Sequence, residues 1–179
     1  MTIGSARLAP GNHPLATAPV LVLGLGNQLL GDDGAGLRLL DALTEVFPAN
    51  DGVEFMDGGT QGLALTGYLA DRKAVLVLDA MALGAAPGTV HTLWGDELWR
   101  IRSERGTTAH EGNALELFAT ARMLGYHWTE VAAVGIEPLN IRTGIGLTGE
   151  VETALGEALG KARTILDEMV INYVSRDSR

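Results

Sequence analysis

Runs of apolar residues alternate with stretches in which apolar side chains return at helical spacing. VLVLGLG, Val20 to Gly26, is continuously apolar, the pattern of a strand covered on both faces of a parallel sheet. From Ala35 to Phe47 the residues Leu39, Leu40, Leu43, Val46 and Phe47 predict one helix face, with Arg38, Asp41 and Glu45 opposite and Pro48 closing it. VEFMD (Val53 to Asp57) predicts a second strand, and Leu63, Leu65 and Leu69 a short helix after it. AVLVLDA (Ala74 to Ala80) repeats the buried-strand pattern, whereas TVHTLW (Thr89 to Trp94) alternates as a sheet-edge strand does.

His110 to Leu124 predicts a helix with Ala114, Leu117, Phe118 and Ala121 inward, and EVAAVGI (Glu130 to Ile136) a fifth strand. A long last helix follows, with Thr148 as its cap, Glu150 and Glu152 in its positive first turn, and Val151, Leu155, Ala158, Ala162, Ile165, Leu166 and Met169 on its core stripe. The order βαβαββαβα implies an α/β fold, a three-layer α/β/α sandwich around a mostly parallel five-stranded sheet. Residues 1–19 mix small and polar residues without a period and read as a mobile leader. Residues 20–174 read as one domain and 175–179 as a short tail.

Composition narrows the chemistry. The chain has 179 residues, 46% hydrophobic and 20% charged, enough for one core. No apolar run is long enough to span a bilayer, and the start lacks the basic-then-apolar order of a signal peptide, so the expected location is the cytoplasm, with no membrane partner. With no cysteine there are no thiolate metal sites and no Cys nucleophile. A net charge of −9 opposes binding to nucleic acid and favours cations or basic partners.

In an open parallel sheet, ligands bind outside the carboxyl ends of the strands. Asp32 and Asp33 follow the first strand, Asp57 closes the second, Asp79 the third and Glu137 the fifth, so carboxylates converge on one sheet edge. The turn GLGNQLLGDDGAG begins like a nucleotide loop, yet Leu29 stands where the third glycine of GxGxxG belongs, no GKS or GKT follows, and two carboxylates repel a diphosphate. No nucleotide is expected. An alternative duty for Asp32 or Asp33 is capping the next helix. No serine sits in a GxSxG elbow, and HEGNA at His110 lacks the second histidine of HExxH because Ala114 replaces it. His110 remains available to join Asp33 and Asp79 as a carboxylate–carboxylate–imidazole set suited to Zn²⁺ or Ni²⁺. His91 and His127 read as ordinary histidines, and Asp57 has a turn-forming alternative ahead of Gly58-Gly59.

The segments GLGNQLLGDDGAG, DGGTQG, LVLDA, AHEGN and VGIEP, in this order, resemble the [NiFe]-hydrogenase maturation endopeptidases across about Val20 to Glu168. The resemblance implies an endopeptidase that removes the C-terminal extension of the [NiFe]-hydrogenase large-subunit precursor after nickel insertion. It selects Asp33, three residues before Gly36, over Asp32, and matches Asp79 and His110 to the other metal-contacting and catalytic positions. Asp57, Gly58, Gly59 and Thr60 correspond to the family's DGGT element, with a role in substrate recognition, and Asp57 and Glu137 become candidates for orienting water or peptide. Nickel is expected to arrive with the substrate, and another divalent ion such as zinc or cadmium could occupy the same ligands. The sequence departs from the family's commonest pattern in having Asp at position 33, where Glu is frequent, and Glu111-Gly112 after His110. Two other readings use the same residues: a metal-dependent hydrolase of a small substrate and a non-catalytic metal-binding assembly factor.

Overall fold

A computed structural model describes residues 18–95, 97–98 and 114–177. Its elements are β1 (Val20–Leu25), α1 (Ala35–Val46), β2 (Val53–Gly59), β3 (Ala74–Ala80), β4 (Val90–Trp94), α2 (Ala114–Met123), β5 (Glu130–Ile136) and α3 (Gly149–Asp177), with 3-10 turns at Gly31–Gly34 and Gly62–Leu69. The sheet order is β2-β1-β3-β5-β4. The first four strands in that order are mutually parallel, and β4 lies antiparallel on β5 at the edge. The five-stranded, mostly parallel sheet follows the sequence expectation, including the edge position of the alternating strand.

Both faces are covered, which explains the uninterrupted apolar runs of β1 and β3. Val20, Val22, Leu76 and Leu78 pack with Leu39 and Leu43 of α1 and Ala158, Ala162 and Leu166 of α3. Leu21, Leu23, Val75 and Val77 take the opposite face with Leu65 and Leu69 of the second 3-10 turn and Leu117, Phe118 and Ala121 of α2. Strand alternation places Asp79 at the end of the Val75–Val77 row, on the α2 side of the sheet.

Two boundaries differ from the sequence reading. Ala18 and Pro19 belong to the fold, because the Ala18 carbonyl accepts a 2.6 Å hydrogen bond from the buried Arg72 guanidinium and the Pro19 carbonyl accepts from the N–H groups of Lys73 and Ala74. Residues 1–17 lie outside the described residues, as does the proposed helix start at His110. At the other end the α3 backbone continues to Asp177, into the segment read as a tail.

From β1 the chain passes to β2 on one side, then returns to β3 on the other. The crevice beyond the carboxyl ends of β1 and β3 is therefore a topological switch point. Gly36 of α1 closes this corner: a Cβ there would strike the carbonyl oxygens of Leu25 and Leu78 and lie 2.8 Å from the Asp79 Cα. The helix can approach the two strand ends only without a side chain. Gly36→Ala is expected to cost about 3 kcal/mol, the upper part of the range for overpacking, since backbone rather than a flexible side chain must yield. Urea unfolding checks it, and a loss under about 0.5 kcal/mol, the range of an ordinary surface change, would contradict this packing.

Candidate active site at the carboxyl edge of the sheet

The loop that leaves β1 is folded back on itself. Gly26 has φ +122°, and a Cβ there would collide with the Asp33 carbonyl, so the chain can turn this tightly only at glycine. The Asn27 N–H donates to Asp33 Oδ2 at 2.8 Å, and the Asn27 Oδ1 accepts from the Leu29 N–H at 2.9 Å. Asp33 is half-buried, and among the described residues its Oδ1 makes no hydrogen bond. The 3-10 turn that carries Asp33 packs against β3, whose penultimate residue is Asp79. Asp79 is buried, and its Oδ1 accepts the Ala80 N–H at 2.8 Å. The turn bearing Asp33 and the strand end bearing Asp79 thus both lie beside the switch point, whereas His110 lies outside the described residues.

Asp32 has a different duty from the helix capping considered above. It is completely buried and makes no capping bond to α1 or to its own turn. Its Oδ2 accepts the N–H groups of Leu139 and Asn140 at 2.9 and 3.0 Å, its Oδ1 accepts the Thr148 N–H at 2.7 Å, and the Thr148 hydroxyl lies within 3.0 Å of both oxygens. Thr148 consequently directs its hydroxyl to Asp32, while its carbonyl accepts the Glu152 N–H at the start of α3. Backbone bonds complete the junction: Gly31 N–H to Gly144 O, Gly144 N–H to Leu29 O, and Asp32 N–H to Asn140 O. On its other flank the Gly26 N–H donates to the Gly59 carbonyl at 3.0 Å.

The DGGT loop is ordered by its own chemistry. Asp57 is exposed and its Oδ1 accepts the Gly59 N–H at 2.9 Å, the side-chain turn that was the alternative reading; Gly59 has φ +49°, and Thr60 is exposed while Gly58 is buried. Glu137 is buried with both oxygens engaged, Oε2 by the Leu83 N–H and Oε1 by the Gly84 N–H, each at 2.8 Å. The His91 Nε2 completes the arrangement 2.8 Å from Glu137 Oε2. Sequence reasoning offered Glu137 as a group for water or peptide; the structure employs it to hold the loop after β3.

The two buried carboxylates share one electrostatic logic. Burial alone pushes the Asp32 carboxyl up, but the hydrogen bonds from Thr148, Asn140 and Leu139 outweigh it and leave its pKa below the ordinary aspartate value. Burial likewise raises Glu137, and bonds from Leu83, His91 and Gly84 reverse the shift and leave it lowered. Two open depressions of about 670 and 460 Å³ lie along α3 and the β4 edge, and neither is lined by Asp33, Asp79, Asp57 or Glu137. Among the described residues no group of three His, Cys, Asp or Glu side chains is arranged to hold a metal ion.

Half-buried and buried carboxylates at a switch point, beside loops stitched together by backbone bonds, make the carboxyl edge of this α/β protein its candidate site. Comparison with known proteins specifies which kind. The sequence model of the family described as hydrogenase maturation protease matches residues 37–165. The hydrogenase 2 maturation protease of Escherichia coli is 31% identical over 160 residues, covering 89% of this chain and 97% of that protein. The hydrogenase expression/formation protein HoxM of Azotobacter vinelandii is 34% identical over 163 residues, covering 90% and 79%. The solved structure of the hydrogenase maturating endopeptidase HybD from E. coli superposes with a TM-score of 0.74 at 33% identity, over 83% of this chain and 92% of that one. The chain belongs to the hydrogenase maturation protease family, and it is a peptidase.

The lowered carboxyls make stability depend on acid. A group whose folded pKa lies below its unfolded value contributes stability above the unfolded value and loses it as pH falls through the folded one. Stability is therefore expected to hold above about pH 4, the usual carboxylate range, and to fall below it. Asp32→Asn should cost roughly 2–4 kcal/mol at neutral pH, because the amide nitrogen cannot accept and leaves buried N–H donors unmatched. Thermal unfolding of both proteins from pH 7 to pH 3 checks this. The variant should show a shallower acid loss, and parallel profiles would contradict the assignment.

Proposed function

We propose that the protein removes the C-terminal extension of a [NiFe]-hydrogenase large-subunit precursor once nickel has been inserted, and that it engages the client's nickel through Asp33, Asp79 and His110. The observation that supports this reading is the packing of the 3-10 turn that carries Asp33 on β3, the strand whose carboxyl end carries Asp79, within a family of hydrogenase maturation proteases. The nickel is part of the substrate. Two carboxylates and an imidazole, with no thiolate, form a partial ligand set that can complete the coordination of a metal held by another protein. Inspection of the client and alignment of its cut bond then occur in one contact. Hydrolysis adds water across the scissile peptide bond, leaving a new carboxylate on the mature subunit and a free amine on the released extension.

Several features suit a protein client better than a small solute. The loops around the edge carry Leu29, Leu139 and Ile145, all large, apolar and exposed, whereas the described depressions lie elsewhere. Asp57 to Thr60, joined to the β1 loop through Gly59 and Gly26, would contact the client's chain near the cut bond. No helix among the described residues is long and apolar enough to cross a membrane, and the proposed reaction takes place in the cytoplasm.

Cleavage of matched nickel-loaded and nickel-free precursors by one enzyme preparation, followed by mass spectrometry, tests the reading. Only the loaded precursor should lose its tail, and nickel supplied to the protease alone should not rescue the empty one. Equal cleavage of both would reject metal-dependent recognition. Asp33→Asn, Asp79→Asn and His110→Ala should each lower processing by at least about 10²-fold, the upper end of what even outer-shell changes cost a metal site. Wild-type processing by Asp79→Asn would remove that residue from the site.

A further inference from the structure

The geometry points to Asp32 as a positioning residue for catalysis, one that fixes the Asp33 carboxylate and the Leu139–Thr148 segment as a single unit. This rests on the proposed role of Asp33. The two neighbouring carboxylates divide the work. Asp33 is half-buried, with Oδ2 on the Asn27 N–H, while Asp32 is fully buried and accepts backbone N–H groups from residues 107, 108 and 116 positions away.

A carboxylate removed from water is tolerated only when donors replace its hydration. Here they come from two segments: the chain after β5, at Leu139 and Asn140, and the residue before α3, at Thr148. The same junction carries the Leu30–Gly144 bridge, with bonds from Gly31 to Gly144 and from Gly144 to Leu29. Each contact acts on the 3-10 turn that holds Asp33 or on the two residues that lead into it. The turn is four residues long, has no side-chain cap, and otherwise packs on β3 and α1. Its φ is unusual at Gly31, +61°, where a Cβ would lie 3.0 Å from the Asn140 carbonyl. Without the Asp32 carboxylate the turn would keep its backbone bonds to Asn140 and Gly144 but lose the side-chain bonds to Leu139, Asn140 and Thr148 that fix its tilt against the start of α3.

A carboxylate that must meet a metal presented by another protein depends on its tilt as well as on its presence. Misplacement by about 1 Å is enough to cost 10²-fold in rate. Asp32 therefore acts through Asp33, without touching substrate.

Steady-state processing of the nickel-loaded precursor is compared for wild type, Asp33→Asn, Asp32→Asn, Thr148→Ala and Leu166→Ala. The last is a core change in α3, far along the chain from the edge, and serves as a destabilised control with Asp79 and the β1 loop intact. Melting curves establish that each protein is folded at the assay temperature. The expected result is that Asp32→Asn lowers kcat by about 10²-fold with KM within about twofold. Thr148→Ala, which deletes only the hydroxyl donor, should lower kcat several-fold, and Leu166→Ala should lower Tm without lowering kcat. If Asp32→Asn is folded and its kcat stays within about twofold of wild type while Asp33→Asn is dead, the positioning role is overturned and the proposed function stands. A Leu166→Ala protein that loses kcat in proportion to its Tm, as Asp32→Asn does, would also overturn it, since stability alone would then account for the loss. If Asp32→Asn does not fold, Thr148→Ala decides: a several-fold fall in kcat at unchanged KM supports the role, and a wild-type kcat overturns it. Full activity of Asp33→Asn would end both readings together.

Discussion

One buried carboxylate, Asp32, holds the working edge of this protein together. A parallel sheet supplies its own internal order, but the loops that leave its carboxyl ends have no ladder to join and must be fixed by other means. Here the β1 loop is fixed by a charge taken out of water and surrounded by three backbone N–H groups and a hydroxyl. The arrangement is stable because the donors oppose the cost of burial, and the same donors make it sensitive to acid. Glu137 repeats the solution on the other side, where it gathers Leu83, Gly84 and His91. With these two carboxyls committed to structure, Asp33 and Asp79 are the carboxylates left at the switch point for the proposed chemistry.

That division was only partly legible in the sequence. Strands β1 and β3 were visible because burial on both faces leaves an unbroken apolar run, and β4 because an edge strand alternates. The gathering of carboxylates at one edge followed from strand ends alone. Asp32 was harder to read: its partners are backbone N–H groups more than a hundred residues away, and a backbone donor leaves no mark in residue identity. The only local hint was a second acid beside Asp33, equally consistent with a helix cap. For the same reason Thr148 read as a cap, and Glu137 as a free group at a strand end. The DGGT turn fared better, because Asp57 bonds Gly59 only two residues on and such turns have a local signature.

The edge formed in this way suits the proposed inspection of a protein client. It is acidic, lies outside the described depressions, and is bordered by exposed Leu29, Leu139 and Ile145. Rigidity matters more here than enclosure, because the client would bring both the metal and the peptide to be cut. A ligand set held to its proper tilt can distinguish a loaded client from an empty one by geometry, since without the metal there is nothing to align the chain against the carboxylates.

Nickel X-ray absorption tests that contact most directly. Spectra of the loaded precursor alone are compared with spectra of the freeze-quenched mixture with wild-type protease and with Asp33→Asn. The account predicts that wild type adds oxygen and nitrogen scatterers to the nickel's first shell, and that Asp33→Asn reduces the gain. A nickel environment unchanged by a bound and active protease would contradict it.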